Sequence, residues 1–429
     1  MSTQSDIKGA LAIKGRVLTF NDGPLDYNYW DNGCVLIEKG FISAVGDSTS
    51  VDLPENINIV NYGDDLILAG FVDSHVHYPQ MNVIASFGTK LIDWLNIHTF
   101  PEEAKFSDKS YARSIAKFFF SESIKNGYTT SAVFCTVHPQ SVDVFFTEAE
   151  LLGLRMIGGK VLMDRHVPDN LCDTAQIAYD QSSELINKWH KKGRVLYAIT
   201  PRFAPTSTPE QLEVASSLYR ENEGVYIQSH VSENLDEIEW VAKLFPQASS
   251  YLDVYNRFNL LGPRALYGHG IHFSDSDIEM IRDTDTSIIH CPTSNLFLGS
   301  GLFEYEKFQN IGARLGLGTD VGGGTSMSPF ATMKAAYEIA QLRNYSISPL
   351  EAFYMVTLGG AKALHLEEKI GRIKVGYEAD LVVVDLNSTE LIRGRMAQVR
   401  SLEETLFLQI ILADDRAIRA TYANGEKIY

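Results

Sequence analysis

The sequence predicts an α/β protein: a (β/α)8 TIM-like barrel with a small β-sandwich domain formed from both chain ends. The barrel is predicted because eight short apolar runs alternate with longer amphipathic stretches over about 290 residues, close to the usual size of such barrels. The second domain is predicted because both ends of the chain carry short β-branched runs bounded by turn residues. We place it at residues 1–67 and 370–429, with the barrel domain at 68–369.

The strands of the β domain are predicted from apolar runs that end at turn signals. At the N-terminal end these runs are Ala10 to Phe20, Cys34 to Gly46 around a Lys39-Gly40 turn, and Ile57 to Tyr62. At the C-terminal end they are Ile370 to Gly376, Ala379 to Asp385, and Ile418 to Tyr429 with an Asn424-Gly425 turn. We expect both groups to belong to one domain.

The barrel is predicted from strand-like runs, each followed by a longer segment. The eight strands are Gly70 to His77, Tyr128 to Cys135, Arg155 to Met163, Arg194 to Thr200, Gly224 to His230, Arg264 to His269, Thr286 to Cys291 and Ala313 to Thr319. The helices are Lys109 to Asn126, Asp173 to Lys192, Pro209 to Asn222, Asn234 to Phe245, Asp275 to Arg282, Pro329 to Arg343 and Ser348 to Leu364. The long segment Tyr78 to Asp108 is the main candidate for an active-site loop.

Composition narrows the class of protein. Hydrophobic residues make up 45% and charged residues 21% of the 429 residues, which disfavours disordered, coiled-coil and fibrous classes. The net charge is −17 and no cluster of five or more Lys and Arg interrupts it, which argues against binding of nucleic acid or anionic membranes. We therefore expect a substrate that is neutral or cationic, or one met by a few local arginines.

Cysteine usage and the termini favour a soluble cytoplasmic enzyme. The four cysteines are far apart and form no Cys-x-x-Cys pair, so neither a disulfide framework nor a zinc ribbon is predicted. Residues 1–8 are polar, and no stretch approaches 18 consecutive apolar residues. Secretion and membrane spanning are therefore not expected.

Five side chains that can bind a metal fall at the carboxyl ends of predicted barrel strands, where barrel enzymes place their active sites. They are His75 and His77 on one face of the first strand, His230 after the fifth, His269 after the sixth and Asp320 after the eighth. One such histidine or aspartate alone is more often structural or a helix cap. Together they predict a catalytic metal site with nitrogen and oxygen ligands, suited to zinc or iron.

Three further residues lie near the same mouth. Glu233 follows His230 by three residues and has two interpretations: an acid that stabilises the start of a helix, or a proton shuttle for the substrate. Arg202 and Phe203 follow the fourth strand and either form an ordinary surface pair or contact the substrate.

Other patterns limit the alternatives. A binuclear centre commonly has a carboxylated Lys near the end of the fourth strand. This chain has Arg202 there and no Lys, so one metal ion is favoured. His365-Leu366-Glu367 has no cysteine pair after it, so the second zinc deaminase fold is not indicated. His290 is a candidate for an outer contact, and His272 is placed outside the ligand set because Gly270 favours a turn.

The chain resembles the guanine deaminases of the amidohydrolase superfamily from about residue 10 onward. The motifs that carry the resemblance are Phe71-Val72-Asp73-Ser74-His75-Val76-His77 with Gln80, Asp93-Trp94-Leu95, Thr99-Phe100-Pro101-Glu102, Thr200-Pro201-Arg202-Phe203-Ala204-Pro205, Gln228-Ser229-His230-Val231-Ser232-Glu233-Asn234, His290-Cys291-Pro292-Thr293-Ser294-Asn295 and Gly318-Thr319-Asp320-Val321-Gly322-Gly323-Gly324. Two positions depart from the family pattern: Ala69 replaces a Pro and Gly322 replaces an Ala.

The resemblance implies a metal centre. His75, His77, His230 and Asp320 would hold one Zn2+ per subunit, with iron as the alternative, and His269 would hydrogen-bond the attacking water. Asp320 would accept a proton from that water, and the metal-activated hydroxide would attack C2 of guanine.

The resemblance also implies how substrate is recognised and consumed. Glu233 would protonate the neighbouring ring nitrogen, so that guanine and water give xanthine and ammonia. Gln80 and Arg202 would hydrogen-bond the purine, with Arg202 at O6, and Phe203 would pack on the ring. The catalytic set is therefore Glu233, His269 and Asp320, and the substrate-binding set is His77, Gln80, Arg202, Phe203, His230, Glu233 and Asp320.

The implied protein is a cytoplasmic homodimer of purine catabolism that binds neither nucleic acid nor membrane. Two other hypotheses stay open on the sequence. One is an amidohydrolase that deaminates or dechlorinates another heterocycle, such as an oxidised guanine, a pterin or a triazine. The other is a barrel scaffold without catalysis, which is disfavoured because every predicted metal ligand is present.

Overall fold

The structure, a computed structural model, describes residues 9–88 and 90–429. Residues 1–8 of the predicted β domain and residue 89 of the predicted loop lie outside the described residues. Within the described ranges the strands are β1 (Leu11–Phe20), β2 (Tyr27–Glu38), β3 (Phe41–Asp47), β4 (Asn58–Ala69), β5 (Phe71–His77), β6 (Tyr128–Phe134), β7 (Arg155–Gly159), β8 (Val161–Leu162), β9 (Leu196–Pro201), β10 (Tyr226–Val231), β11 (Ala265–His269), β12 (Ser287–His290), β13 (Arg314–Leu317), β14 (Leu381–Val384), β15 (Ile418–Ala423) and β16 (Glu426–Lys427).

The helices lie mostly between the strands of the central part of the chain. In the part that the structure describes they are α1 (Leu91–Trp94), α2 (Phe100–Glu103), α3 (Lys109–Lys125), α4 (Pro139–Leu151), α5 (Ala175–Trp189), α6 (Pro209–Glu221), α7 (Leu235–Leu244), α8 (Tyr251–Arg257), α9 (Asp275–Thr284), α10 (Pro292–Phe297), α11 (Tyr305–Asn310), α12 (Pro329–Leu342), α13 (Pro349–Met355), α14 (Leu358–Ala363), α15 (Glu390–Met396) and α16 (Leu402–Leu412).

The central strands form the predicted barrel. Its parallel strands follow the order β13-β12-β11-β10-β9-β7-β6-β5, and the two-residue β8 also pairs with β9. Backbone hydrogen bonds from Asp320 to His75 and from His77 to Val321, both 2.9 Å, bring the segment after β13 beside β5. The sheet is therefore nearly closed, and the predicted fold class is confirmed.

The burial of the strands explains why continuous apolar runs in the sequence predict them. Every residue of β5 and β6 is buried, as expected for parallel strands whose two faces contact the barrel interior and the surrounding helices. The predicted helix Ser348 to Leu364 is two helices, α13 and α14, because Thr357 between them has non-helical backbone angles (φ −126°, ψ −101°). Segment 78–108 contains α1, α2 and a π-helical turn at Leu95–Thr99.

Both ends of the chain join one separate seven-stranded mixed sheet, ordered β16-β15-β14-β4-β1-β2-β3. Strand β1 pairs antiparallel with β2 and parallel with β4, and β14 pairs antiparallel with β4 and β15. The predicted turns close hairpins with left-handed backbone angles, φ 53° and 84° at Lys39-Gly40 and φ 51° and 81° at Asn424-Gly425. The ranges 1–67, 68–369 and 370–429 stay predictions for the domain boundaries.

Helix α16 lies between β14 and β15 in sequence but packs against barrel helices α12 and α13. The rings of Tyr337 in α12 and Phe407 in α16 meet edge to face at 5.1 Å. The C-terminal segment therefore contributes to the barrel surface as well as to the small sheet.

A buried ion cluster joins the sheet segment to the amino-terminal end of the barrel strands. Arg155 Nε donates to Glu378 Oε2 at 2.8 Å, and Arg194 Nη2 donates to the same atom at 2.7 Å. Arg194 also pairs with Asp380. All four side chains are at most 12% exposed.

In the described residues no helix is long and apolar enough to cross a membrane.

Candidate active site

A cavity opens at the carboxyl ends of the barrel strands. The predicted substrate-contacting residues all line it: His77, Gln80, Arg202, Phe203, His230, Glu233 and Asp320. His269, the remaining member of the predicted catalytic set, lines it as well. The structure thus brings together side chains that the sequence separates by up to 243 positions, from 77 to 320.

Neighbouring strand ends make room for the imidazole of His75. A Cβ at Gly268 would lie 2.6 Å from Cε1 of His75, and one at Gly318 would lie 2.7 Å from its Cβ. A side chain at either position would therefore displace the histidine. Gly268 inside β11 and Gly318 directly after β13 are therefore required by close packing around this residue.

Two site residues have left-handed backbone angles: His269 with φ 76° and Asp320 with φ 50°. Such angles are uncommon for residues other than glycine and concentrate at functional sites. His269 is the last residue of β11 and Asp320 lies three residues past β13, so the chain turns at each while the side chain is directed into the cavity.

The ligand atoms of the predicted metal set lie at separations that one ion would produce. His77 Nε2 lies 3.1 Å from His230 Nε2, and Asp320 Oδ1 lies 3.3 Å from Nε2 of both His75 and His77. Ligand atoms on one tetrahedral zinc, with bonds near 2.0–2.1 Å, are separated by about 3.3 Å. His75 Nε2 is also buried without a hydrogen-bond partner in the structure. The donor set therefore fits a metal ion.

His269 belongs to an overlapping set of metal-capable atoms. Its donor atom and those of His75, His230 and Asp320 all lie within 4.8 Å of one another. However, His269 Nε2 is 3.9 Å from Asp320 Oδ2, longer than the separations within the first set. Asn295 Nδ2 lies 3.0 Å from His269 Nδ1, a contact in which the amide donates and the proton of the imidazole is on Nε2. This arrangement favours His269 as a donor to a bound group.

Burial favours the neutral form of His77, His230 and His269. It lowers the pKa of His77 to about 4 and that of His269 to about 3, and it holds the pKa of His230 well below its ordinary value. Neutral imidazole is the form that binds a metal. His230 is also oriented, because its Nδ1 donates to the backbone carbonyl of Arg202 at 2.6 Å and leaves Nε2 for a ligand bond.

Asp73 connects the first and last strands of the site. Its carboxylate accepts hydrogen bonds from the backbone nitrogens of His75 at 3.3 Å and Thr319 at 3.0 Å, and from the Thr319 hydroxyl at 2.6 Å. Burial raises the pKa of Asp73 to about 6. This residue fixes the position of the chain segments that carry His75 and Asp320.

The two interpretations of Glu233 are separated by the start of α7. The N-cap of that helix is Asn234, and Glu237 completes its capping box. Glu233 precedes the cap, is 3% exposed, and lies with its Oε2 3.4 Å from Nε2 of His269. Ser300 donates a hydrogen bond to its Oε1 at 3.0 Å. Glu233 therefore faces the cavity and does not cap the helix.

Glu233 and Asp320, two of the acids that line the cavity, have opposite pKa shifts. Burial, assisted by the charge of Asp320, raises the pKa of Glu233 well above its ordinary value. Burial acts in the same direction on Asp320, but the imidazoles of His75 and His77, each with Nε2 3.3 Å from Oδ1, outweigh it and hold its pKa well below the ordinary value. Two carboxyl groups with separated pKa values can divide the roles of acid and base between them.

The amidohydrolase family model matches residues 66–428 of this chain. The chain belongs to the amidohydrolase family. Guanine deaminase from Escherichia coli (strain K12) is 45% identical over 93% of this chain and 91% of its own length. A solved structure of E. coli guanine deaminase matches with a TM-score of 0.96 at 43% identity, covering 97% of this chain and 99% of that one. Guanine deaminase from C. acetobutylicum with bound guanine matches at a TM-score of 0.90 and 31% identity, covering 98% of this chain and all (100%) of that one.

Apolar side chains close the rest of the amidohydrolase cavity. Leu91, Trp94 and Leu95 from segment 78–108 line it together with Phe203. The Phe203 ring contacts Trp240 edge to face at 6.3 Å. A flat heterocycle would thus meet aromatic and aliphatic walls and a small number of directed polar groups.

Two histidines that the sequence placed outside the ligand set do lie elsewhere. His272 Nε2 hydrogen-bonds the carbonyl of Ser300 at 2.8 Å. The His290 ring is buried and stacks on Phe303 at 4.4 Å. Sequence reasoning missed Asn295, Ser300, Asp73 and Glu103 as contacts of site residues. Asn295 and Asp73 lie inside quoted motifs, whereas nothing in the sequence distinguished Ser300.

Proposed function

We propose that this chain catalyses the hydrolytic deamination of guanine to xanthine and ammonia. The observation that carries the proposal is the convergence of His77, His230 and Asp320 at 3.1–3.3 Å beside a buried Glu233, in one cavity with Arg202. The named activity of the E. coli relative at 45% identity supports the same reaction.

We propose that His75, His77, His230 and Asp320 hold one Zn2+ per subunit, with iron as the alternative that these donors also accept. A bound cation lowers the pKa of its coordinated water towards ~7 and so supplies a nucleophile at neutral pH. The lowered pKa values of His77 and His230 and the separation of their Nε2 atoms support this ligand set.

The protein groups would manage three protons. Asp320, which stays ionised, accepts the proton that the attacking water loses as its oxygen bonds to C2 of guanine. Glu233, whose pKa is raised by burial, donates to the neighbouring ring nitrogen. His269 donates from Nε2 towards the oxygen of the attacking water. Asp320 then passes the water proton to the amino group at C2, ammonia leaves, and the C2 hydroxyl returns its proton to Glu233 as the C2 carbonyl of xanthine forms.

Recognition would rest on donors that match the purine. Arg202 offers only N–H donors and suits the O6 carbonyl of guanine, whereas the amino group at the same position of adenine is itself a donor. Gln80, which lines the cavity with Arg202, would also hydrogen-bond the purine, and Phe203 would pack on its ring. His77 and His230 also line the cavity and would contact the substrate as well as the metal.

A cytoplasmic homodimer completes the proposal. All four cysteines are free and three of them are buried, which suits a reducing compartment. Light scattering on the purified protein measures the oligomeric state.

The test is an ammonia-release assay on guanine, with zinc and iron content measured on the same sample. We expect kcat/KM for guanine to exceed kcat/KM for an oxidised guanine, a pterin and a chlorinated triazine. Absence of ammonia release from guanine by metal-replete protein contradicts the proposal, and a higher kcat/KM on another heterocycle reassigns the substrate.

A further inference from the structure

Glu103 is a buried carboxylate in α2 that contacts two of the substrate-recognition residues. Its side chain is 0% exposed. Oε1 and Oε2 accept hydrogen bonds from Nη1 of Arg202 at 2.9 and 2.7 Å. Oε1 also accepts from Nε2 of Gln80 at 3.1 Å. One carboxylate therefore holds the side chains of both residues.

The contact fixes which end of the Gln80 amide faces which neighbour. A carboxylate accepts hydrogen bonds and does not donate them, so Gln80 must present its NH2 group to Glu103. On the other side, Oε1 of Gln80 accepts from the backbone N–H of Gly322 at 3.1 Å, and an N–H can only donate. Both neighbours require the same orientation, so the amide cannot rotate by half a turn without losing both bonds.

The contact also determines which donors of Arg202 are left for a ligand. Both hydrogen bonds to Glu103 use Nη1, and the guanidinium carbon lies 5.4 Å from the centre of the Phe100 ring. Among the described residues, no group accepts a side-chain hydrogen bond from Nε or Nη2 of Arg202. These two nitrogens form one edge of the planar group and can donate side by side to a carbonyl oxygen.

Charge is balanced inside the pair. Arg202 is 3% exposed and Glu103 is 0% exposed, so each charge is separated from water and is compensated mainly by the other. The pair presents directed donors without a net charge. A neutral heterocycle with a carbonyl group suits this site better than an anion does.

We propose that Glu103 is a positioning residue that sets specificity for the 6-oxo group of the substrate, by holding Arg202 in the orientation that reads it and Gln80 next to Arg202. This inference rests on the proposed guanine deamination. It assigns Glu103 no contact with the substrate and no part in the chemical step, so its removal affects binding of guanine and not the proton transfers.

The test compares Glu103→Gln, Glu103→Asp, Arg202→Ala and the double variant Glu103→Gln/Arg202→Ala. KM and kcat are measured on guanine, and the Ki of 2-aminopurine, which lacks the 6-oxo group, is measured by competition. We expect Glu103→Gln to raise KM for guanine about 10- to 100-fold, the effect of a small misplacement of a binding group, with kcat changed less than about threefold. The Ki of 2-aminopurine should change by less than about threefold, since Arg202 has no carbonyl to read there.

Two comparisons separate positioning from simple stability. Glu102→Gln is the matched control, because Glu102 is the adjacent buried acid but bonds Asn82, Lys105 and Tyr111 outside the cavity. It should leave KM for guanine unchanged. Glu103→Asp, which keeps the charge, should raise KM for guanine less than Glu103→Gln does. In the Arg202→Ala background, Glu103→Gln should have a much smaller effect on KM than it has in the wild type.

Each outcome decides the proposal. Equal losses for guanine and 2-aminopurine, a fall in kcat at constant KM, or additive effects in the double variant overturn the positioning role while guanine deamination stands. If Glu103→Gln does not fold, Glu103→Asp and the Arg202→Ala background give the same comparison. Wild-type protein that releases no ammonia from guanine overturns the proposed function, and this inference with it.

Discussion

Asn295 donates a hydrogen bond from Nδ2 to Nδ1 of His269 at 3.0 Å, and this bond places the imidazole proton on Nε2. A protonated Nε2 has no lone pair for a metal, so His269 would act as a donor while His77, with Nε2 3.1 Å from that of His230, would act as a ligand. The two overlapping donor sets therefore make different predictions.

We expect His77→Asn to lose most of its bound metal and His269→Asn to retain it. The reason is that only the first change removes a nitrogen from the group spaced at 3.1–3.3 Å. His269→Asn should instead lower kcat on the order of 10² or more, the range for one proton-transfer group. Metal content by elemental analysis and kcat on guanine are measured for each variant. Loss of metal from His269→Asn, with retention in His77→Asn, would exchange the two roles.

Glu233→Gln should keep metal and substrate binding and lose on the order of 10² to 10⁴ in kcat. Glutamine matches the shape of glutamate and can still accept the hydrogen bond from Ser300, but it cannot donate a proton to a ring nitrogen. Steady-state kinetics on guanine give kcat and KM. Glu210→Gln, at an exposed position of α6, is the control and should behave as wild type. Unchanged turnover in Glu233→Gln would remove this acid from the mechanism.

The strand ends that carry the site were predictable because two regular patterns coincide there. Period two places His75 and His77 on one face of β5, and the barrel topology directs the ends of all parallel strands to one mouth. Neither inference requires side-chain contacts. The identities of His230, His269 and Asp320 as cavity residues followed from their positions in the chain alone.

The residues that were missed share a different property. Glu103 contacts Arg202 across a separation of 99 positions, and it belongs to a short helix in a segment that was predicted only as a loop. Asn295 contacts His269 across 26 positions. Such contacts depend on how loops fold over the barrel mouth, which no local periodicity encodes. The two interpretations of Glu233 were likewise separated by the folded structure, through the N-cap at Asn234 and the contacts of Glu233 with His269 and Ser300.

Glu378→Ala should lower the free energy of unfolding by about 3 kcal/mol or more, because it leaves the buried charges of Arg155 and Arg194 without their shared partner. The cluster lies at the amino-terminal end of the barrel strands, opposite the cavity, so kcat/KM of the folded protein should not change. Urea denaturation and guanine kinetics give the two quantities.

Glu150→Ala is the matched control for this change, since the ion pair of Glu150 with Lys192 is about half exposed on both sides. Exposed pairs contribute about 0–1 kcal/mol, so the control should unfold nearly as wild type does. Equal effects of the two substitutions would mean that burial of the Glu378 cluster adds nothing to stability.

The acid stability of the small sheet should depend on Asp65 in β4. Burial, followed by the charge of Asp385, raises the pKa of Asp65 to about 6 in the folded protein, and Arg419 at 3.9 Å only partly opposes this. A folded pKa above the unfolded value of about 3.9 means that the folded state binds the proton more tightly. The stabilising contribution of protonated Asp65 is therefore present at low pH and is lost as pH rises through about 6. Asp65→Asn, which cannot ionise, should become more stable relative to wild type between pH 5 and pH 7.5. The gain should be about 1 kcal/mol, since solvent screens a half-buried group.

Urea unfolding at the two pH values measures this gain in stability, with the exposed Asp52→Asn as a control for net charge. A difference between Asp65→Asn and wild type that does not change with pH would contradict the raised pKa.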